Sequence, residues 1–169
     1  MNYRSSAATS LAGRMALVAL VIGTSVTASA TERVTISLAV TGAVGWSFVP
    51  ILQLVTGLLL VGGSRDRLRL LDRYFATGWP WLLWILAAHA AFVAIPATRK
   101  YGLWITVTTC VPMLWTARLL FAFCREDLGL DTTQARWRIG THQCATYALV
   151  VTYVWLAVAL WPRIVRAFA

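Results

Sequence analysis

Three ionisable side chains stand out inside long apolar runs: His89 in "LAAHAAF", Arg118 in "LWTARLLF" and His142 in "THQC". A charge or an unpaired ring nitrogen is expensive in hydrocarbon, so each is a candidate in-span polar site. His89 has two readings, a hydrogen bond between helices or a proton or ligand site. Its flanking alanines let a neighbouring helix approach closely. No Asp or Glu lies in any of the apolar runs, so a proton relay would lack an acid partner. Arg118 stands six residues before Cys124, about 9 Å along a helix. An arginine can extend that far to reach water, which sets snorkelling against substrate binding as its role. Gln53 and Gln143 are neutral additions to the same set.

His142, Cys144 and Cys124 would meet if the last two apolar runs formed a hairpin. Three such ligands suit zinc, but the H-x-C spacing has no close second pair. No metal and no cofactor is expected. The three cysteines, Cys110, Cys124 and Cys144, read as small buried residues. No phosphate-binding glycine loop, G-x-S-x-G or H-E-x-x-H occurs, and without acids in the runs paired-carboxylate chemistry has no material. The expectation is a protein that is not an enzyme.

The elements that must position these residues follow from composition. The chain has 169 residues, of which 59% are hydrophobic and 12% charged. Mean hydropathy is +0.71. A soluble domain carries about 25% charged residues. A soluble core could not hide this much apolar surface, so the fold expected is a polytopic helical membrane bundle in one domain. Five runs reach the roughly 17–25 residues that a spanning helix needs. They cover residues 11–30, 34–61, 79–97, 103–124 and 141–161. The second is longer than required, with Pro50 as a natural kink site. The first also resembles a signal peptide, with Arg4 and Arg14 ahead of a short apolar core and "TASA" at its end. A second apolar run follows almost at once, which favours a retained span over four spans and a cleaved leader.

Basic residues lie mostly in the connectors. With five spans, nine fall on the side of the N-terminus and five on the other. The positive-inside rule therefore puts the N-terminus inside and the C-terminus outside. The arginine-rich composition suits a bacterial inner membrane. The net charge of +9 reads as topogenic and lipid-directed, not as nucleic-acid binding.

The second connector carries the most charge. As a helix over about 64–76 it is amphipathic, with Leu68, Leu71, Tyr74 and Phe75 on one face and Leu70 at its margin. Arg65, Arg69 and Arg73 line the other face at i, i+4 and i+8. Ser64 is the expected cap. The segment reads as a helix lying in the inner interface with its apolar face in lipid. The fourth connector, "REDLGLDTTQARWRIG", adds Arg136 and Arg138, with Asp131 as a helix cap. Leu128, Leu130, Trp137 and Ile139 are expected to dip into the interface. These two loops are the expected contact surface for anionic lipid, a membrane-protein partner or a second copy.

"SRDRLRLLDRYFATGWPW" resembles the basic helix before the third span of the Yip-type five-span membrane proteins. "LLFAFCREDLGLDTTQAR" resembles the short loop before that family's fifth span. Eukaryotic members act with Rab GTPases in vesicle traffic. The resemblance implies a non-enzymatic scaffold or membrane-organising protein. The competing expectation is a transporter or channel subunit that works as an oligomer through His89, Arg118 and Gln53.

Overall fold

The computed structural model of the chain describes residues 3–31, 33–64, 66–95, 100 and 107–168. Among the described residues there are helices and turns and no strand. This is the expected fold class. Hydrocarbon offers no partner for backbone amides and carbonyls, and a helix satisfies them within one segment. Seven helices run in order among the described residues: α1 (Tyr3–Thr31), α2 (Ile36–Gly45), α3 (Phe48–Val61), α4 (Arg67–Ala76), α5 (Trp79–Ala94), α6 (Cys110–Glu126) and α7 (Thr132–Phe168). Among the described residues three helical stretches, Ser6–Ser29, Ile36–Val61 and Arg67–Ala94, are long and apolar enough to cross a membrane.

The helices wear their apolar side chains outward. Leu17, Val44, Leu114, Val151 and Trp155 are all more than half exposed on the surface of the chain. Soluble monomers rarely leave apolar side chains in such continuous bands. The helices fit a hydrocarbon surround, and the chain has the character of a membrane protein.

Several element boundaries differ from expectation. The second apolar run does not kink at Pro50. It breaks at Trp46 and Ser47, where the Ser47 hydroxyl donates to the Val44 carbonyl at 2.8 Å. Pro50 sits in the first turn of α3, where a helix has no use for its missing amide. Pro80 and Pro112 occupy first turns of α5 and α6 in the same way. The fourth connector is partly helical, as the Asp131 cap implies. Only residues 127–131 separate α6 from α7, turned by Gly129 at φ 64°, a conformation that favours glycine. Asp131 does cap α7: its Oδ1 accepts from the Gln134 amide at 2.8 Å, and Gln134 Oε1 accepts back from the Asp131 amide at 3.3 Å. This reciprocal pair is a capping box. Ser64, by contrast, does not cap α4. That helix starts two residues later than expected, with Asp66 at the cap position and no side-chain bond there.

The largest correction concerns α4. Its apolar face does not lie in lipid. Leu70, Leu71, Tyr74 and Phe75 are buried, and they sit in one cluster with Leu11 and Val18 of α1, Leu60 of α3 and Leu120 and Phe123 of α6. Leu68, read as part of that face, is exposed, and Leu70 takes its place. Helical period identifies a face but not what the face packs against. Leu128, Leu130 and Ile139 likewise pack on this cluster instead of the interface, while Trp137 is exposed.

Polar ties hold α4 in position. Arg14 Nε donates to Asp72 Oδ1 at 2.7 Å, and the Ser10 hydroxyl donates to the same oxygen at 2.8 Å. Arg73 pairs with Asp127 at the end of α6. Where α1 crosses α2, Gly23 and Gly42 bring the backbones into contact. A Cβ on Gly42 would lie 2.5 Å from the Gly23 carbonyl oxygen and 2.4 Å from Thr27 Oγ1.

Candidate functional site: a partly enclosed polar cavity between five helices

In α3, Gln53, Thr56 and Gly57 fall at i, i+3 and i+4, which aligns them as one polar, small stripe on an apolar helix. Thr56 is fully buried. Its hydroxyl donates to the Gln53 carbonyl at 3.1 Å and lies 3.2 Å from the Tyr74 hydroxyl. The Tyr74 hydroxyl in turn lies 2.9 Å from His142 Nε2. One chain of hydrogen bonds thus joins α3, α4 and α7.

The Gln53 carbonyl can only accept. Between Thr56 and Tyr74 either hydroxyl can be the donor, and His142 Nε2 donates or accepts according to the tautomer of its ring. His142 Nδ1 is buried and has no partner.

The cluster borders a partly enclosed cavity of about 110 Å³. Thr116 of α6 and Thr146 and Gln143 of α7 supply further polar groups, and Phe75, Trp81 and Leu120 supply apolar walls. Thr146 donates to the His142 carbonyl at 2.8 Å, while Thr116 Oγ1 is buried with no partner. No Asp, Glu, Lys or Arg among the described residues lines the cavity. It offers neutral donors and acceptors, without a carboxylate for proton abstraction. Among the described residues no three His, Cys, Asp or Glu side chains are grouped to hold a metal. Cys124 is fully buried, but Cys110 and Cys144 are exposed, against expectation.

No protein-family model, no curated protein and no solved structure matches the chain. The site is therefore read from its own geometry.

Of the sequence candidates, His142 lines this cavity together with the two neutral additions, Gln53 and Gln143. Among the described residues His89 makes no bond between helices: its Nδ1–H donates to the Ile85 carbonyl of its own helix at 2.8 Å, and its ring meets Phe92 edge-on. Arg118 is exposed on α6. Among the basic residues, Arg69 and Arg136 are exposed, and Arg65 lies outside the described residues. Arg73 is committed to Asp127. Arg138 donates to the Leu59 carbonyl at 3.3 Å, placing its charge where the last carbonyls of α3 carry partial negative charge.

Tyr74 and Thr116 escaped the sequence reading. Tyrosine suits both a headgroup level and a buried network, so its position on an amphipathic face does not choose between them. The Gln53, Thr56, Gly57 stripe was the available signal. Gly57 is the space into which Tyr74 fits, since a Cβ there would lie 2.7 Å from the tyrosine ring. Gly57→Ala should displace the ring and destabilise the fold by about 1–3 kcal/mol, the usual range for overpacking. Unfolding in mild detergent would measure it.

Proposed function

We propose that the protein is a non-enzymatic, multi-pass membrane protein with five spans. Its N-terminus is inside, its C-terminus is outside, and it presents a basic surface at the inner face of a bacterial plasma membrane. The observation that carries this reading is the division of α4. One side of the helix is buried against α1, α3 and α6, while Arg67 and Arg69 on the other side are exposed. A helix fixed to the bundle holds these charges in place, so they do not need lipid to order them. Arg136, exposed near the start of α7, adds a third. Arg73 and Arg138 serve as internal ties.

Five spans require α6 and α7 to join the three stretches described above. Val111, Leu114 and Trp115 of α6 and Val151, Trp155 and Leu156 of α7 are exposed, which supports a lipid surround for both. The Yip-type resemblance points the same way, toward a scaffold or membrane-organising role with anionic lipid or a membrane-protein partner on the basic side. A transporter built on His89, Arg118 and Gln53 has less support, because of the three only Gln53 lines the polar cavity.

Each basic residue near an anionic surface contributes about 1 kcal/mol. Reversing Arg67, Arg69 and Arg136 to glutamate together should therefore weaken retention of the lipid or partner by more than about tenfold. The readout is co-purification from native membranes in lipid-preserving particles, followed by mass spectrometry. Unchanged lipid and protein content in the folded triple variant would sink the proposal.

A further inference from the structure

A second cavity, an open cleft of about 360 Å³, lies where α1, α4, α5 and α6 meet. Its lining is charged, unlike that of the first. Arg14, Asp72, Arg73, Glu126 and Asp127 all border it, two cations against three carboxylates. On a chain of net charge +9, this cleft is locally acidic.

Four of these charges are paired within the chain. Arg14 holds Asp72 through Nε, and Arg73 holds Asp127. A guanidinium has five N–H donors, and both arginine side chains are about half exposed, so N–H groups remain for a further anion. Glu126 is exposed and has no ion pair among the described residues. It is the carboxylate left for a cation. Trp79 borders the same space, and an aromatic face attracts an ammonium group.

The other end of the cleft is apolar. On α6, Leu119, Ala122, Phe123, Glu126 and Asp127 fall at i, i+3, i+4, i+7 and i+8, one stripe along the helix, and all five line the cavity. Leu119 stands near the middle of α6 and Glu126 closes it, about 10 Å further along the axis. The stripe therefore runs from apolar to acidic. Trp79 meets Trp115 edge-on, with ring centroids 5.0 Å apart, and tryptophan settles at the headgroup level. A lipid matches this gradient, with acyl chain at one end and headgroup at the other. Charged pockets between membrane helices are where headgroups are held.

The charges choose the headgroup. An anionic headgroup brings net negative charge toward three carboxylates. A zwitterion brings its ammonium to Glu126 and its phosphate to the remaining N–H groups of Arg14 and Arg73, a charge-assisted contact at each end. We infer that this cleft binds one phospholipid whose headgroup ends in a primary ammonium. The inference rests on the membrane reading above, but it uses none of Arg67, Arg69 and Arg136.

The probes are phosphatidylethanolamine and phosphatidylglycerol with matched acyl chains, mixed equally in nanodiscs around the full-length protein. After release into mild detergent, native mass spectrometry counts the lipids retained. The wild type should keep one tightly held phosphatidylethanolamine. Glu126→Gln leaves both ion pairs intact and so should fold normally. It should lower that retention about tenfold, the effect of one hydrogen bond between charged groups, with phosphatidylglycerol unchanged. Ala122→Phe fills the apolar end and should expel the same lipid. Reversing Arg67, Arg69 and Arg136 should lower phosphatidylglycerol and leave the phosphatidylethanolamine in place, so failure of the basic surface and failure of this cleft give different patterns. Equal retention of the two lipids, or phosphatidylethanolamine retention that survives Glu126→Gln, would overturn the inference. So would displacement of the lipid by millimolar soluble phosphoethanolamine, which would make the detached headgroup the ligand.

Discussion

Tyr74→Ala should destabilise the folded protein by about 3–5 kcal/mol, the usual loss when a buried aromatic is truncated to alanine. Tyr74 is 7% exposed and packs edge-on against Phe75 and His142. Its hydroxyl joins Thr56 to His142 Nε2, so truncation removes a ring from the core and strands two further buried polar groups. Tyr74→Phe keeps the ring and removes only the hydroxyl, and should cost about 1–3 kcal/mol, the penalty for unsatisfied buried groups. Equilibrium unfolding in detergent micelles would measure both. The pair also tests where α4 lies. If its apolar face rested in lipid, Tyr74 would sit at the headgroup level and both variants would stay within about 1 kcal/mol of wild type, as surface substitutions do.

Gly42→Leu should be the most damaging change outside the polar network. Even a bare Cβ at this position overlaps the backbone of α1, with the Gly23 carbonyl oxygen at 2.5 Å and the Gly23 carbonyl carbon at 2.7 Å. Backbone cannot swing aside as a side chain can, so α1 and α2 must separate. Close helix approach through small residues is how membrane helices gain packing contacts that lipid would otherwise supply. The expected loss is about 3 kcal/mol or more, at the upper end for overpacking, and it should be seen as a collapse in folded yield. Gly13→Leu is the matched control. Gly13 lies on α1 with nothing within 4 Å of an added Cβ, and leucine is the better helix former by roughly 0.5–1 kcal/mol. Equal damage from both variants would mean that the Gly23–Gly42 crossing does not hold the helices together.

The sequence made the helical class and the placement of charge legible, because apolar runs near twenty residues and charged connectors leave few other solutions. Asp131 was readable as a cap, since aspartate before a helical segment has a local partner. What was not legible depended on residues distant in the chain. Arg73 and Arg138 look outward on a helical wheel, yet one reaches Asp127, 54 residues on, and the other the Leu59 carbonyl, 79 residues back. No local pattern encodes such pairs. Pro50 pointed to a kink, but proline is equally at home in a first turn, and the break fell earlier, beside Ser47. The polar cavity was half visible. His142 stood out by its chemistry, whereas Thr56 and Thr116 are residues that apolar helices carry often, bonded to their own backbone.

The central claim is a multi-pass membrane protein whose basic surface lies inside. Thiol labelling tests it most directly. In a background with Cys110, Cys124 and Cys144 replaced by alanine, single cysteines would be placed at Arg69 and at Lys100, both exposed. The account predicts that a membrane-impermeant maleimide labels Lys100→Cys in intact cells. It also predicts that Arg69→Cys is labelled only in inverted vesicles. Labelling of both positions from the same side, or of Arg69→Cys from outside intact cells, would contradict it.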